Sequence, residues 1–197
     1  MYEHSPLQLG RLLRSSVNEA VKMDITYQPP IPSRVAKPKV WEFAEKQRAS
    51  VGLKTGFDLS KLVSRNRGKI EYIGMFDSDQ TDAIVVEPDG SFVIRLSSET
   101  GELRDNFTIA HELGHLLLHW PKVRKSHEGS GMRATRKVDE SQEALVRCEW
   151  EANWFASAFL MPREEFLEAY EKGVASETFG VTQSAVDIRA KTLGLHA

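Results

Sequence analysis

The sequence of 197 residues lacks several features that would place it in other classes of protein. It contains one cysteine, Cys148, so an internal disulfide is impossible and a reducing cytoplasm fits best. It has no continuous apolar run long enough to cross a bilayer, and its first residues lack the apolar core of a signal peptide. We therefore expect a cytoplasmic protein that is neither embedded in a membrane nor exported by that route.

The sequence also lacks an excess of positive charge. Its formal net charge is -2, so no global positive field is available to hold DNA, RNA or an anionic membrane. Basic residues cluster only between 122 and 137, and such a run is more often a solvated surface. We do not expect direct DNA binding. The content of 41% apolar and 27% charged residues is that of an ordinary folded globular protein.

A proline-rich stretch divides the chain. Four prolines fall between residues 29 and 38, where neither a helix nor a central strand can continue. Residues 5–22, ahead of it, have the apolar spacing of a short amphipathic helix. We predict an N-terminal arm and proline-rich connector at 1–38, a main domain at 39–175, and a C-terminal helical segment packed on that domain at 176–197.

Helical and strand patterns alternate along the main domain. A helical pattern with a break near two glycines covers 39–66, and the turn sequence at 88–90, Pro-Asp-Gly, separates two β-rich runs. Residues 122–139 are polar, basic and contain glycine, so we expect a mobile surface loop there. The β-rich runs are 70–76, 82–87 and 91–96, and further helical patterns cover 106–120, 140–161, 163–173 and 181–194. The sequence thus predicts an α+β fold in which a small antiparallel sheet packs on a helical core.

Three sequence signals predict the ends of helices. Asp105 or Asn106 is a candidate N-cap for the helix at 106–120, because a short polar side chain can accept a hydrogen bond from the first turn. Pro121 is expected to end the same helix. Thr182 is the expected N-cap of the last helix.

Two histidines four residues apart suggest a metal site. His111 and His115 project from one face of a helix, about 6 Å apart along its axis, so two imidazole nitrogens can reach one metal ion. Glu112 directly follows His111 on the same helix, so it can act as general base on a metal-bound water during attack on a peptide carbonyl. This pattern, on an amphipathic helix directly after a β-hairpin, is typical of zincin-type metallopeptidases.

A third ligand has to come from another segment. The next long helical pattern offers Glu149 and Glu151, and a helical wheel places Glu149 slightly nearer the core. Asn153, four residues after Glu149, is placed to orient a ligand. His119 lies about 12 Å along the axis from His111, too far to share its metal, so we expect it to pack or to cap the helix. Two histidines and one carboxylate suit one zinc ion and also tolerate manganese.

Further residues near the predicted site have open roles. The strand at 91–96 directly precedes the metal helix, and as an edge strand it would bind an extended substrate through main-chain hydrogen bonds. Cys148 falls on an apolar stripe, so we expect a small buried hydrophobe rather than a ligand. Trp150 and Trp154 share a face that another segment is expected to cover. The candidates for stabilising an oxyanion are Tyr72, Arg104, His119 and His127.

Three blocks of the sequence resemble the ImmA/IrrE metallopeptidases. They are RDNFTIAHELGHLLLH, EWEANWFASAFLMP and FGVTQSAVDIRAKTLG, and they occur in the family's order. The resemblance implies a gluzincin-like metallopeptidase domain with His111 and His115 as zinc ligands and Glu112 as catalytic acid/base. By the family's spacing, the third zinc ligand is Glu149. The C-terminal segment corresponds to a part of the family that is helix-turn-helix-like.

The resemblance also implies a function. The family acts on cytoplasmic helix-turn-helix transcriptional repressors of the phage type, so a zinc-dependent metalloendopeptidase that cleaves such a repressor and relieves repression is expected. The alternative is a non-enzymatic anti-repressor or toxin-like regulator that binds such a repressor and uses zinc for structure. Structural zinc usually has four protein ligands, whereas the sequence offers three, which favours the enzyme.

Overall fold

A computed structural model describes residues 25–53, 58–74 and 81–195, and the helix predicted for 5–22 lies outside them. The helices are α1 (Lys37–Ser50), α2 (Leu59–Arg65), α3 (Glu102–Gly114), α4 (Trp120–Ser126), α5 (Glu143–Leu160), α6 (Arg163–Glu171), α7 (Ala175–Phe179) and α8 (Gln183–Thr192). A π-helical turn, His115–His119, joins α3 to α4. The strands are β1 (Tyr27–Gln28), β2 (Gly68–Ile73), β3 (Asp82–Val86), β4 (Phe92–Ser97) and β5 (Gly131–Thr135). None of the helices within the described ranges combines the length and apolarity needed to span a bilayer.

The described strands form one sheet in the order β1-β5-β3-β4-β2. β3 is antiparallel to β4 and to β5, whereas β2 is parallel to β4 and β1 is parallel to β5. The α+β prediction is confirmed, but the sheet is mixed rather than antiparallel, because β2 pairs with β4 instead of with its sequence neighbour β3. The same order makes β4 an internal strand, so it is not an edge strand that could bind an extended substrate chain.

The segment 122–139, expected as a mobile loop, contains regular structure. Its first residues belong to α4, and Gly131–Thr135 form β5 between β1 and β3. Met132 and Ala134 face the core and are buried, while the residues that follow each of them are exposed. The prediction is wrong here because only two apolar side chains mark the buried face of β5, too few to stand out among the surrounding charges.

The start of α3 also differs from the prediction. The N-cap is Gly101 rather than Asp105 or Asn106. Asp105 is instead buried and accepts a hydrogen bond of 2.6 Å from Thr100 Oγ1. Asn106 donates from Nδ2 to the carbonyl oxygen of Gly180 at 3.0 Å, which ties α3 to the C-terminal segment. Both polar side chains therefore fix the position of α3 instead of capping it.

The two other predicted helix ends have opposite outcomes. Pro121 does not end the helical run: it lies in the first turn of α4, directly after the π-helical turn. Thr182 is confirmed as the N-cap of α8, because its side chain accepts a hydrogen bond from the backbone N–H of Ala185.

The helices α3 and α5 pack closely at Gly114. A Cβ added at Gly114 would lie 3.0 Å from Ala152 Cα and 3.3 Å from Phe155 Cβ, so glycine permits an approach that a larger residue would hinder. Phe155 stacks on Phe159 with ring centroids 5.4 Å apart, and both rings are buried in the core. This packing fixes the distance between the helix that carries the histidines and the helix that carries Glu149.

Candidate metal centre

His111 and His115 lie where α3 passes into the π-helical turn. Their Nε2 atoms are 3.1 Å apart, so the two imidazole nitrogens point to one place. His115 is the first residue of the π-helical turn and His119 is the last. Single π-helical turns of this kind are frequent at functional sites.

Glu149 on α5 brings a carboxylate to the two histidines. Its Oε2 lies 3.2 Å from His111 Nε2, and its Oε1 lies 3.1 Å from His115 Nε2. Two ligand atoms bound to a tetrahedral zinc ion at about 2.0–2.1 Å are themselves roughly 3.3 Å apart. The donor atoms of the three residues therefore have the chemistry and the spacing that one such ion requires.

The ionisation of these groups suits a metal. Burial acts to raise the pKa of Glu149, but the contacts with His111 and His115 outweigh it and hold that pKa well below its usual range. Burial lowers the pKa of His115 to about 4, so its ring is neutral at pH 7. A carboxylate and a neutral imidazole are the forms that bind metal ions.

Glu112 lines the same cleft as the three potential ligands. Its side chain is almost completely buried, and burial raises its pKa to about 7. Its Oε2 is buried without a hydrogen bond to any residue that the structure describes. An acid or base works best when its pKa is near the operating pH, so Glu112 has the position and the proton affinity to exchange a proton with a reacting group.

The far sides of both imidazole rings are held by polar side chains. His111 Nδ1 lies 3.1 Å from Asn153 Oδ1, and Asn153 is one turn after Glu149 on α5. His115 Nδ1 lies 3.1 Å from His119 Nδ1. His119 is fully buried beneath the cluster, as expected for a residue that packs.

Glu151, the rival third ligand, points away from the cluster. It is fully buried and accepts hydrogen bonds from the backbone N–H groups of Ser33 at 2.7 Å and Arg34 at 2.9 Å. Arg147 Nε donates to it at 2.8 Å, and His119 Nε2 lies 3.2 Å from its Oε2. No local pattern in the sequence signals this arrangement, because two of the donors are backbone groups of the proline-rich connector, 118 and 117 residues earlier in the chain.

The candidate ligands lie in an open cleft with a volume of about 960 Å³. Its walls come from α3, α5, β4 and β5, and the C-terminal helix α8 closes one side. Trp150 and Ile188 line it and remain exposed to solvent. The cleft is at the upper end of the size range of small-molecule pockets, which leaves room for a chain segment rather than a single small ligand.

Of the candidates for stabilising an oxyanion, only Arg104 lines this cleft. Arg136 lines it as well, and its charge acts to lower the pKa of Glu112. Arg136 is not among the residues predicted for the site, because it lies in the segment expected to be a surface loop. The remaining candidates do not line the cleft: Tyr72 and His127 are exposed elsewhere, and His119 is buried.

Other residues of α5 are placed as follows. Cys148 is fully buried outside the cluster, and burial raises the pKa of its thiol to about 12, which suits a structural residue. The ring of Trp154 is contacted by Lys37 Nζ at 5.9 Å and by the Arg147 guanidinium at 4.7 Å. Trp150 is 54% exposed among the described residues, so the expected cover over the tryptophan face is seen for Trp154 only.

The fold and the site together define a protein of the metallopeptidase-like class. The chain belongs to the peptidase M78 family, the IrrE N-terminal-like domain, which matches residues 75–191. The resemblance seen in the three sequence blocks is thereby confirmed.

Two further comparisons complete this picture. A solved structure described as a Mycobacterium tuberculosis transcriptional regulator has a similar fold, with a TM-score of 0.52 and 24% sequence identity. The similarity covers 78% of this chain and 55% of that chain, so this chain spans little more than half the length of the regulator. No curated protein sequence matches this chain at a significant level.

Proposed function

We propose that the protein is a zinc-dependent metalloendopeptidase that cleaves a cytoplasmic helix-turn-helix repressor of the phage type and so relieves repression. The observation that carries the proposal is the convergence of two imidazole nitrogens and one carboxylate beside Glu112 in an open cleft. In this proposal the metal ligands are His111, His115 and Glu149.

The hydrogen-bonding pattern supports a metal ion between the three groups. Asn153 Oδ1 accepts from His111 Nδ1, so a metal ion can take the place of a proton on Nε2 of that ring. The ring nitrogens and the carboxylate oxygens lie 3.1–3.2 Å from one another, close enough for one cation to bind all three groups. Zinc suits two histidines and a carboxylate, and manganese is the other metal we consider.

A bound zinc ion would supply an acidified water and a polarised carbonyl. The protein's own contribution is Glu112, which in this proposal takes a proton during the attack on the peptide bond and returns it to the leaving amine. Its buried carboxylate, with a pKa of about 7, can hold the proton between these two steps. Arg104 and Arg136 are the cations of the cleft that can face negative charge on the substrate.

The shape of the cleft favours a polypeptide substrate. Because the site is open, an extended chain segment can enter without unfolding the protein, and the aromatic and aliphatic side chains on the walls can contact its side chains. We propose the division into a connector at 1–38, a metallopeptidase domain at 39–175 and a C-terminal segment at 176–197. In this division, α8 belongs to the C-terminal segment and forms one wall of the cleft.

A transcriptional repressor as substrate rests on the family and on the neighbour described as a transcriptional regulator. Such a repressor works in the cytoplasm, the compartment that a single buried cysteine also favours. The alternative is a regulator that binds a repressor without cleaving it. The two differ in whether the Glu112 carboxylate is required: a binding regulator keeps its effect without this group, and a peptidase loses it.

The test is cleavage of a repressor in a defined mixture. The zinc-loaded protein is mixed with the phage-type repressor encoded nearest to its gene, and the mass of the repressor is followed by mass spectrometry. Glu112→Gln and a chelator are expected to abolish cleavage. Glu164→Gln, a matched change at an exposed glutamate of α6 outside the cleft, is expected to cleave normally. Tight binding with no change in repressor mass would refute the peptidase and support the non-enzymatic regulator.

A further inference from the structure

Glu151 is a fully buried carboxylate in contact with four N–H groups. A buried charge is tolerated only when it is paired and hydrogen-bonded. Arg147 supplies the opposite charge, and the backbone of the connector supplies two further donors. The remaining contact is with His119 Nε2, at 3.2 Å.

This contact determines which nitrogen of His119 carries the proton. An ionised carboxylate can only accept hydrogen bonds, so His119 must present Nε2–H to Glu151. A neutral imidazole carries one ring proton, so a ring that gives Nε2–H to Glu151 has its other nitrogen, Nδ1, left as an acceptor.

The proton on His119 also affects the candidate metal ligand His115. His115 Nδ1 lies 3.1 Å from His119 Nδ1. His115 Nε2 faces the carboxylate of Glu149 at 3.1 Å. With a metal ion on that nitrogen in place of a proton, the ring proton of His115 lies on Nδ1 and is donated to Nδ1 of His119. The hydrogen bonds then run in one direction, from His115 through His119 to Glu151.

The chain of contacts also reaches the connector. Arg34 has a φ of 57°, a left-handed backbone conformation that disfavours residues with a side chain. Its N–H is held by Glu151 Oε1 at 2.9 Å, and that of the preceding Ser33 by Oε2 at 2.7 Å. One carboxylate therefore holds a strained turn of the connector and, through His119, the ring of a candidate metal ligand.

We propose that Glu151 and His119 are positioning residues that fix the tautomer and the orientation of His115, so that its Nε2 is ready to bind a metal, and that they tie the proline-rich connector to the metal site. The inference rests on the proposed metal site. His111 is held separately by Asn153, so loss of the relay from Glu151 through His119 changes one ligand and leaves the other in place.

The first experiment reads the tautomers of the zinc-loaded protein. Nitrogen-15 spectra of the histidine rings distinguish protonated from unprotonated ring nitrogens. We expect the proton on Nε2 in His119 and on Nδ1 in His115 in the native protein. In Glu151→Gln, whose side chain can donate through its amide, we expect the proton of His119 to leave Nε2. A proton on Nδ1 of His119 in the zinc-loaded native protein would overturn the proposal.

The second experiment measures zinc affinity by competition with a chromophoric chelator. Groups that orient a metal ligand typically contribute 10–100-fold to affinity, so we expect Glu151→Gln to weaken zinc binding by about that factor. Glu151→Gln also loosens the connector and Arg147, so His119→Phe provides a second route: it fills a similar volume and removes the acceptor of His115 Nδ1–H.

The matched control is Asp105→Asn, the same acid-to-amide change at another buried carboxylate, which accepts from Thr100 near the start of α3. It should leave the zinc affinity within about twofold of the native value, even if thermal stability falls. Native-like zinc affinity in both Glu151→Gln and His119→Phe would overturn the positioning role alone. Failure of the native protein to bind zinc would refute the metal site itself, and the positioning role with it.

Discussion

The two glutamates on α5 that sequence alone leaves as rivals have opposite surroundings. The side chain of Glu149 is 27% exposed and contacts the Nε2 atoms of His111 and His115. Glu151, two residues later, is 0% exposed and is surrounded by N–H donors from three parts of the chain. One helix thus presents one type of residue to two sites with different chemistry.

The difference lies in what faces the carboxylate oxygens. N–H donors saturate the oxygens of Glu151, so this group can stabilise structure and has no capacity left for a metal. The oxygens of Glu149 face imidazole nitrogens that, once deprotonated, can share one metal ion with them. The neighbours of a carboxylate, rather than its place on a helical wheel, decide between the two roles.

The largest effect in this comparison is expected for Glu149→Ala. Zinc binding by structural sites amounts to about 10–16 kcal/mol, so loss of one protein ligand of three should remove on the order of 4 kcal/mol, about a 1,000-fold loss of affinity. Competition with a chelator measures it. Glu112→Gln is the control and should retain zinc, because Glu112 is not a ligand. Equal weakening by both changes would contradict the assignment of their roles.

The contact between the two helices is tested by Gly114→Ala. The added Cβ would lie 3.0 Å from the backbone of Ala152, so α3 and α5 must move apart. We expect a destabilisation of about 1–3 kcal/mol, as is usual when a well-packed core is overfilled, measured by urea unfolding of the metal-free protein. Gly101→Ala, where a Cβ meets nothing within 4 Å, is the control. An unchanged midpoint for Gly114→Ala would show that the helices are not tightly packed there.

The buried face of α5 is tested by Arg147→Gln. This change removes the charged donor to Glu151, the hydrogen bond to the carbonyl oxygen of Val35 and the contact with the Trp154 ring. We expect a loss of stability of about 1–2 kcal/mol in thermal or urea unfolding. Zinc affinity should stay within about threefold of the native value, because the contact between Glu151 and His119 is retained. A 100-fold loss of zinc affinity in Arg147→Gln would contradict the separate roles of Glu149 and Glu151.

The smallest effect on stability is expected for Trp150→Ala. This residue lies between the two glutamates in sequence, but its side chain is exposed on the wall of the cleft. Changes at exposed positions usually alter stability by less than about 0.5 kcal/mol. The proposed function adds that repressor binding should weaken while zinc affinity stays constant. A large loss of stability in thermal unfolding would mean that a further segment covers this residue.

The sequence predicts the parts of the fold and site that local patterns encode. The spacing of His111 and His115, the hairpin before them and the N-cap at Thr182 all depend on residues close together in the chain. β5, by contrast, could not be recognised in the sequence, because only two alternating apolar residues mark it among basic neighbours. The role of Glu151 could not be predicted from the sequence, because its backbone donors at Ser33 and Arg34 contact it only in the folded protein.

The most direct test of the central claim is X-ray absorption spectroscopy of the zinc-loaded protein. The account predicts one zinc ion bound by two imidazole nitrogens and one carboxylate, with a light non-protein atom in the remaining position and no sulfur ligand. Loss of the carboxylate contribution in Glu149→Ala would assign it to this residue. A site with sulfur, with four protein ligands, or with an unchanged spectrum in Glu149→Ala would contradict the account.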